Sequence, residues 1–498
     1  MGHLRRIFSC KKSRDIVVPS AILAACLFLS IGCAVGPRYS RPTVPVPTTY
    51  KEVGNWKPAQ PSEQNLGGNW WEIFQDPQLN ALEQQINVSN QNLKAAEAQF
   101  RQARALLRYA RADLYPTVTT APAATRIHNS DNRPPRSGIF SGITYNDFVF
   151  PFDLAYQADI WGRVRRSVES SRAQAQASAA DLATVNLSIH ADLALLYLQA
   201  RSLDAQEQLL NSTVADFEQA LQLTENRFHG GLASALDVQQ AQTQLQTTRA
   251  QAIDVGVLRS QVEHAVATLV GQPASGFHLP PLPLTTPPPR IPVGLPSQLL
   301  ERRPDIAGTE RRVAAANAQI GIAKTAYFPT INLGASGGFE SGTITTLISG
   351  PSILWSAGPA ALMTLFDVGR RRALNEQAQA TYDQTVANYR QTVLSGFQQV
   401  EDNISALRIL EQEAATQDAA VGAARQSVTL ATNRYKGGIT SYLEVITAQS
   451  AALTNEVTAV NILGRRMAAT VLLIQALGGG WNASELPRMA SNSPTSGK

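Results

Sequence analysis

The stretch Arg434-Tyr435-Lys436-Gly437-Gly438-Ile439 repeats the pattern of Arg227-Phe228-His229-Gly230-Gly231-Leu232, which lies 207 residues earlier. In both stretches two adjacent glycines lie within a long tract that lacks proline. Glycine adopts positive φ readily, so it can terminate a helix and let the chain reverse into an antiparallel partner. We therefore predict a helical hairpin turn at each stretch. An ordinary turn, with no further function, is enough to explain most of this pattern.

The same offset holds further out along the chain. Gly162-Arg163-Val164-Arg165 aligns with Gly369-Arg370-Arg371-Arg372, so 68 residues separate the glycine markers in both copies. No proline occurs in 152–272 or 360–486, and the abundant Ala, Gln, Leu and Arg favour helix. A straight helix of this length would reach roughly 100 Å. The alanine-rich seams favour a solvated coiled-coil-like assembly, although a plain antiparallel bundle has the same periodicity.

Four segments before these helices have strand composition. Residues 116–127 with 143–156, and 329–339 with 353–366, are rich in Thr, Val, Phe and Tyr and are predicted to form two β-hairpins. In residues 148–154, Phe and Leu at the even positions alternate with Val149, Pro151 and Asp153, which suits one strongly apolar face and one less apolar face in the wall of a membrane barrel. Four strands cannot close a barrel, and an open edge in lipid leaves backbone groups unpaired. Subunits must therefore associate, and three protomers would supply twelve strands.

The N-terminus has the pattern of a bacterial lipoprotein signal. Basic residues precede an apolar stretch that is too short for an ordinary spanning helix, and Ser30-Ile31-Gly32-Cys33 resembles a lipobox. Cys33 is the predicted lipidation site. Leu23-Ala24-Ala25-Cys26 also fits the pattern, which leaves Cys26 and an unlipidated signal as alternatives.

Composition argues against several classes of function. The formal charge is +5, but five basic residues and Asp15 before residue 33 account for +4 of it, so nucleic-acid binding has no electrostatic support. The six histidines and four methionines form no cluster, and no phosphate loop or HExxH motif occurs. We expect neither an enzyme nor a metal or cofactor site, apart from a covalent lipid on Cys33.

Several motifs together resemble the outer-membrane factors typified by TolC and OprM, in particular the NodT-type lipoproteins. They are Gly32–Tyr39, Trp70-Trp71 with Phe74–Leu79, Arg302–Ile306, Tyr327-Phe328-Pro329 and Leu365–Arg371. The resemblance implies an α+β membrane channel in the outer membrane. It would be a homotrimer whose twelve-stranded transmembrane β-barrel, with four strands per protomer, continues into a long periplasmic α-helical barrel.

The resemblance and the proline positions together predict the domain boundaries. The predicted segments are a signal peptide (1–32), a lipid-anchored tether and collar segment (33–78), the first repeat (79–272), a Pro-rich linker (273–304), the second repeat (305–480) and a C-terminal tail (481–498).

The resemblance also places the turns Gly230-Gly231 and Gly437-Gly438 at a periplasmic tip that closes the tunnel and contacts an adaptor protein. Asp237 and Glu444 follow the turns and would form rings of carboxylates in a trimer. The side chains expected to hold the helices together there are Tyr435, Arg227 and Arg434. A hydrogen bond from Tyr435 to Asp237 is the sharpest form of this hypothesis. Alternatively, both acids are solvated or cap their helices.

Six arginines occupy the positions where strands give way to helices: Arg163, Arg165, Arg166, Arg370, Arg371 and Arg372. Cations are unfavourable at a helix N-terminus, so counter-charges are expected. Phospholipid headgroups are one candidate source, and Asp153, Asp159 or Asp367 are the other.

The predicted function is the passive exit channel of a tripartite efflux pump, which conducts drugs or other small toxic compounds. Its partners would be a periplasmic adaptor and an inner-membrane pump of the resistance-nodulation-division class. The alternatives are the duct of a type I protein secretion system and a pore-less periplasmic coiled-coil scaffold.

Overall fold

The computed structural model describes residues 34–53, 68–132, 142–291 and 296–487. The signal peptide, Cys26 and Cys33 lie outside the described residues. The chain divides into two compact units. The sheet unit comprises Met1–Arg41, Gln102–Ala175 and Arg311–Val386, and the helical unit comprises Pro42–Arg101, Gln176–Glu310 and Ala387–Lys498.

Helices make up most of the described chain. They are α1 (Pro77–Ser89), α2 (Gln91–Ala112), α3 (Arg163–His229), α4 (Ala235–Leu269), α5 (Pro296–Arg302), α6 (Pro304–Thr325), α7 (Arg370–Lys436) and α8 (Tyr442–Ala476). The duplication fixes their lengths: α2 and α6 have 22 residues each, α3 and α7 have 67, and α4 and α8 have 35. The prediction that the proline-free tracts are long helices is therefore confirmed.

The sheet unit contains one antiparallel sheet. Its strands are β1 (Thr117–Thr120), β2 (Ala123–His128), β3 (Thr144–Ala158), β4 (Thr330–Ser341) and β5 (Ile353–Leu362). Both β1 and β2 pair with the same edge of β3, and the register runs on unchanged from one to the other. They are thus two parts of one interrupted strand. The sheet order is β1/β2, β3, β4, β5, which is the pair of hairpins predicted from composition.

Two prolines explain the interruption. The gap between β1 and β2 consists of Ala121 and Pro122 and falls opposite Pro151 and Phe150 of β3, and neither proline has an N–H to donate to the ladder. On its other side Pro151 lies opposite Gly338 of β4. A Cβ at residue 338 would lie 2.2 Å from the Phe150 carbonyl oxygen, so only glycine fits without movement there. The close approach of β3 and β4 at this point therefore depends on Gly338.

The two faces of the sheet differ in polarity, as predicted. One face carries Phe148, Phe150, Phe152 and Leu154 of β3, and the register adds Phe339 of β4 opposite Phe150. The other face carries Asp153 opposite Thr119 and Ser336, and Gln157 opposite Asn332. The strands at both ends of this sheet, β1/β2 and β5, have a free edge within the described chain.

Buried polar contacts attach α1 to α3 in the helical unit. His190 Nδ1 lies 2.5 Å from Glu83 Oε2, and both side chains are completely buried. Asn87 contacts the other ring nitrogen of His190 at 3.2 Å, and Trp71 stacks on the imidazole. Burial raises the pKa of Glu83 to about 9 and lowers the pKa of His190 to about 4. A neutral acid that donates to a neutral imidazole is therefore the arrangement that burial favours.

Helix α8 is the single helix in the described chain that is long and apolar enough to cross a membrane. Its apolar side chains have another explanation, because Val471, Leu473 and Ile474 are fully buried in the helical unit. Core packing in the helical unit therefore accounts for part of the hydropathy of α8.

Candidate functional site

The two glycine turns have the same backbone geometry. Leu232 N donates to Arg227 O and Gly231 N donates to Phe228 O, while Ile439 N donates to Arg434 O and Gly438 N donates to Tyr435 O. These paired bonds define a Schellman motif, which ends a helix with a residue of positive φ. That residue is Gly231 (φ +71°) in the first turn and Gly438 (φ +72°) in the second. Gly230 and Gly437 do not have positive φ.

An aromatic cluster lies beside the second turn. Tyr435 at the end of α7 and Tyr442 at the start of α8 have ring centroids 5.2 Å apart. Val445 of α8 and Ala241 of α4 complete this buried cluster. We call these four residues the tip cluster. It joins one helical hairpin, α3 with α4, to the other, α7 with α8.

Arg227 strengthens the same junction from α3. Its guanidinium carbon lies 4.8 Å from the centroid of the Tyr435 ring, which is cation–π distance. Its Nη1 donates to the carbonyl oxygen of Lys436 at 3.0 Å. Arg227 thus binds the last turn of α7, where carbonyl groups have no partner within the helix.

Tyr442 makes a further contact between the hairpins. Its hydroxyl hydrogen-bonds to Thr224 of α3, which is fully buried. Burial, with smaller contributions from Tyr435 and Asp237, raises the pKa of Tyr442 to about 12, and the Thr224 hydrogen bond opposes that rise. The phenol therefore stays neutral and available as a donor throughout the physiological range.

The predicted hydrogen bond from Tyr435 to Asp237 is wrong. The Tyr435 hydroxyl is buried and has no hydrogen-bond partner among the described residues. Asp237 instead accepts from Ser234 N at 2.9 Å, while Ser234 Oγ accepts from Asp237 N, which forms a capping box at the start of α4. For Asp237 the structure thus shows the helix-capping alternative.

Glu444 takes a different position from its counterpart. Its carboxylate lies 3.6 Å from Arg434 Nη1, and both side chains are about half exposed. Arg434 therefore pairs within its own hairpin, whereas the equivalent Arg227 reaches across to the other hairpin. The structure brings Arg227 and Tyr435 together, and it places Glu444 with Arg434 on the surface beside them.

Sequence reasoning missed four residues of this junction: Tyr442, Val445, Ala241 and Thr224. A signal for one of them was present, because Tyr442 replaces Ala235 of the first copy just as Tyr435 replaces Phe228. Two new tyrosine hydroxyls within eight residues mark the place where the copies diverge.

Protein carboxylates supply most of the counter-charge for the arginines where strands meet helices. Asp159 pairs with Arg165 at 3.1 Å and Asp367 pairs with Arg371 at 2.7 Å. Both aspartates also accept backbone N–H groups at the start of the following helix. Two of the three predicted aspartates are thus used, and the remaining pairs are Arg166 with Glu169 and Arg372 with Glu376.

The residues that follow Cys33 are fixed within the sheet unit. Val35 N donates to the carbonyl oxygen of Trp161, which lies between β3 and α3. Arg166 donates to the carbonyl oxygens of Val35 and Gly36. Tyr39 then packs against Ala173, Ala314 and Ala315. Within the sheet unit, the chain just after Cys33 therefore lies at the end of the strands.

No group of three or more His, Cys, Asp or Glu residues comes together as a metal site in the part of the chain that the structure describes.

Comparison with known proteins gives the family. The family model described as outer membrane efflux protein matches residues 82–272 and 295–479. The toluene efflux pump outer membrane protein TtgF of Pseudomonas putida is 30% identical over 93% of this chain and 97% of its own length. Outer membrane protein OprJ of Pseudomonas aeruginosa is 30% identical over 93% of this chain and 96% of its own.

A solved structure of the outer-membrane channel OprN superposes with a TM-score of 0.85 at 30% identity, and the match covers 90% of this chain and all of that one. The fold class predicted from the sequence, the α+β channel of the outer-membrane factors, is confirmed, as are its place in the outer membrane and its part in efflux. The chain belongs to the outer membrane efflux protein family.

Proposed function

We propose that the chain is the passive exit duct of a tripartite efflux pump and works as a homotrimer. The carrying observation is the sheet, which has four strands, two free edges and one apolar face opposite one polar face. Free edges are unfavourable in lipid because unpaired N–H and C=O groups cannot be solvated there. Three copies paired edge to edge would give twelve strands, with the Phe148 face toward lipid and the Asp153 face toward the lumen.

The tip cluster and Arg227 support the second part of the proposal, a gate. They join the two hairpins of one protomer beside both glycine turns. Separating the hairpins therefore uncovers the packing of Ala241 in the tip cluster and breaks the cation–π contact and the hydrogen bond of Arg227. Closing this junction would narrow the periplasmic entrance. Glu444 and Asp237 lie close by, and in a trimer each would form a ring of three carboxylates at this entrance.

The partners follow from the family and from the turns. A periplasmic adaptor would contact Gly230-Gly231 and Gly437-Gly438, and an inner-membrane pump of the resistance-nodulation-division class would supply the energy. The duct itself needs no cofactor. We retain the predicted boundaries 79–272 and 305–480 for the two repeats, with 33–78, 273–304 and 481–498 as tether, linker and tail.

A lipid on Cys33 is supported by the position of the next residues. Ala34 to Tyr39 pack within the sheet unit near Trp161, where the strands end, so a diacylglyceryl group on Cys33 would start close to the bilayer. Mass spectrometry of the mature N-terminal peptide tests this assignment. A peptide that begins at Cys33 with lipid attached is expected, and lipid on Cys26 would contradict it.

The duct is tested by reconstitution. Purified full-length protein should have the mass of a trimer in detergent and should give discrete conductance steps in planar bilayers. A monomer in mild detergent, or a trimer that gives no current, would contradict the proposal.

The gate is tested by a pair of equivalent arginines. Arg227→Ala removes the contact between hairpins and should raise the open probability several-fold. Arg434→Ala is the matched control, because Arg434 pairs within its own hairpin and its removal should leave the open probability near that of the wild type. Equal effects of the two substitutions would show that the gate does not depend on the Arg227 contact.

A further inference from the structure

The duplication relates the strands of the sheet residue by residue. Thr117 of β1 pairs with Ala155 of β3, and Thr330 of β4 pairs with Leu362 of β5. Residues 117 and 330 differ by 213 and residues 155 and 362 by 207, so the same two offsets connect both hairpins. The junction of β3 with β4 joins the two copies within one chain. The offsets therefore predict the junction of β5 in one protomer with β1/β2 of the next.

An aromatic contact closes the junction that lies within the chain. Trp161, which precedes α3, stacks on Phe328, which precedes β4, with ring centroids 4.6 Å apart. The Trp161 indole also donates to the carbonyl oxygen of Pro329 at 2.9 Å. Trp161 and Phe328 belong to different copies, so this contact holds the copies together where strands give way to helices.

The equivalents of this contact are exposed at the two outer edges of the sheet. The offset of 207 takes Trp161 to Val368, and the offset of 213 takes Phe328 to Tyr115. Val368 has 86% of its surface exposed and Tyr115 has 63%. Both residues lie where a strand and a helix meet, Val368 after β5 and Tyr115 before β1. Large exposed side chains at these two places are expected if each packs on a neighbouring protomer.

The offsets also give a register for the strands. Ala158 of β3 lies opposite Ile331 of β4. Their equivalents are Leu365, just after β5, and Val118 of β1, which are 85% and 65% exposed. Val118 lies on the apolar face of the sheet, since it pairs with Leu154. A register that differs by one residue would place Leu365 beside a residue of the polar face.

Opposite charges lie at one level of this predicted junction. Continued past the strands, the register sets Arg163 level with Ala326 within the chain, and Arg370 level with Asp113 between protomers. Arg370 and Asp113 are exposed, and neither has an ion-pair partner within the described chain. Arg163, by contrast, donates to Gln157 of its own chain at 3.1 Å. The acid therefore occurs where the junction would lie between two protomers, and alanine occurs where it lies within one.

We propose that β5 of one protomer pairs with β1/β2 of the next in the register that sets Leu365 opposite Val118, and that Arg370 forms an ion pair with the partner's Asp113. Val368 packs on the partner's Tyr115 between these contacts. The inference rests on the proposed trimer and specifies the surface through which its protomers meet. Each protomer supplies one half of the surface at each edge, which is the arrangement that closes a ring.

Paired cysteines test the register in the full-length protein. Beyond residue 33 the chain has no native cysteine, so the introduced thiols can be followed alone. Leu365→Cys combined with Val118→Cys should give a disulfide-linked trimer on a non-reducing gel after oxidation, whereas each single variant should not. Leu362→Cys with Val118→Cys is the matched control, because a shift of three residues displaces the thiol by about 10 Å along the strand, beyond disulfide reach.

Charge reversal tests the ion pair. Asp113→Arg and Arg370→Asp should each lower the temperature at which half of the trimers dissociate in mild detergent by about 3 °C or more, because like charges then meet at three junctions. The double variant restores the attraction and should return to within about 1 °C of the wild type. Arg372→Asp makes the same charge change about 200° round α7 and should shift the temperature by less than about 1 °C.

The outcomes separate this interface from the duct. The ion pair is overturned if the double variant dissociates as readily as the single ones, or if Arg372→Asp destabilises the trimer as much as Arg370→Asp. The register is overturned if the control cysteine pair links as well as Leu365→Cys with Val118→Cys. If trimers form and conduct while the latter pair stays unlinked, the register is wrong and the duct stands.

Discussion

The two helical hairpins, α3 with α4 and α7 with α8, have the same lengths and the same turns but different contacts at their tips. Phe228 ends α3 with 42% of its surface exposed, whereas its equivalent Tyr435 ends α7 with 4% exposed. The duplicated backbone thus gives two equivalent helix ends. The different side chains at these ends determine that Tyr435, and not Phe228, forms the buried contact. Function in this molecule is therefore best sought where the copies disagree.

A second comparison shows what duplication preserves. Glu218 of α3 pairs with Arg249 of α4, and at the equivalent positions Arg425 of α7 pairs with Glu456 of α8. The acidic and the basic residue have exchanged helices between the two copies, but the ion pair is kept. The spacing of contacts has been conserved between the copies of this chain, whereas the chemistry has changed in both partners together.

The largest expected difference between the hairpins comes from truncating the aromatic residue at each tip. Tyr435→Ala should lower the local stability of the tip by about 3 kcal/mol, because it empties a buried cluster. Phe228→Ala should cost less than about 1 kcal/mol, since its ring is already partly solvated. Native-state hydrogen exchange of the last turn of α7 and of α3 measures both. Similar losses at the two tips would remove the distinction.

The buried acid and imidazole occur in the first copy alone. Glu83 corresponds to Pro296 by the offset of 213 that relates α2 to α6, and His190 corresponds to Phe397 by the offset of 207. Folding should be most stable between about pH 4.5 and 6.5. Above this window the raised pKa of Glu83 means that the folded chain holds a proton that the unfolded chain has released, so stability falls as the pH rises toward 9. Below it the lowered pKa of His190 means that the unfolded chain binds the extra proton, so stability falls toward pH 4.

Thermal unfolding at pH 4, 5.5 and 8.5 checks this window. His190→Leu should cost about 2 kcal/mol at pH 5.5, because Glu83 loses its partner in a buried site. The same substitution should also remove the fall in stability between pH 5.5 and pH 4. The exposed His264 provides the control, and His264→Gln should leave the profile as it is. A wild-type profile that rises steadily from pH 5.5 to 8.5 would show that Glu83 is ionised in the folded chain.

Equivalent glycine substitutions in the two turns should have the same effect on stability, in contrast to substitutions of Phe228 and Tyr435. Gly231→Ala and Gly438→Ala should each cost about 1 kcal/mol, because both residues have positive φ. Gly230→Ala and Gly437→Ala should be close to neutral, since neither residue requires that conformation. Thermal stability of the four variants measures the effect. An unequal cost at 231 and 438 would mean that the turns also differ in function.

The smallest difference is expected between the two acids. Asp237→Ala removes half of a capping box and should cost about 1 kcal/mol. Glu444→Ala breaks a half-exposed ion pair and should cost less than about 0.5 kcal/mol. Stability in detergent at low and high salt compares them. A Glu444 effect larger than that of Asp237 would indicate that Glu444 has a further partner in the assembled protein.

Much of this architecture could be predicted from local sequence. Proline-free tracts bounded by equivalent glycines gave the helices, and alternation around Phe150 gave the two-faced sheet, because both depend on short-range periodicity. The capping box was also predictable in principle, since Ser234 and Asp237 have the required spacing. Helix capping by Asp237 was accordingly the sequence-based alternative to a lumen acid, and the structure shows the cap.

The contacts of Tyr435 could not be predicted in this way. They depend on how α3 and α4 are rotated against α7, which no local pattern specifies. Arg227 binds a backbone carbonyl of α7. Because every residue has a backbone carbonyl, the sequence does not indicate which one accepts this hydrogen bond.

The two free edges of the sheet have a genetic consequence. If the barrel closes only when β1/β2 of each protomer pairs with β5 of the next, one copy with a damaged edge prevents closure of the whole trimer. A cell that makes equal amounts of intact and damaged chains would then build about one fully intact channel in eight, given random mixing in a closed ring of three. Lesions in β5 or β1 are therefore expected to be dominant, whereas lesions that prevent synthesis of the chain should be recessive.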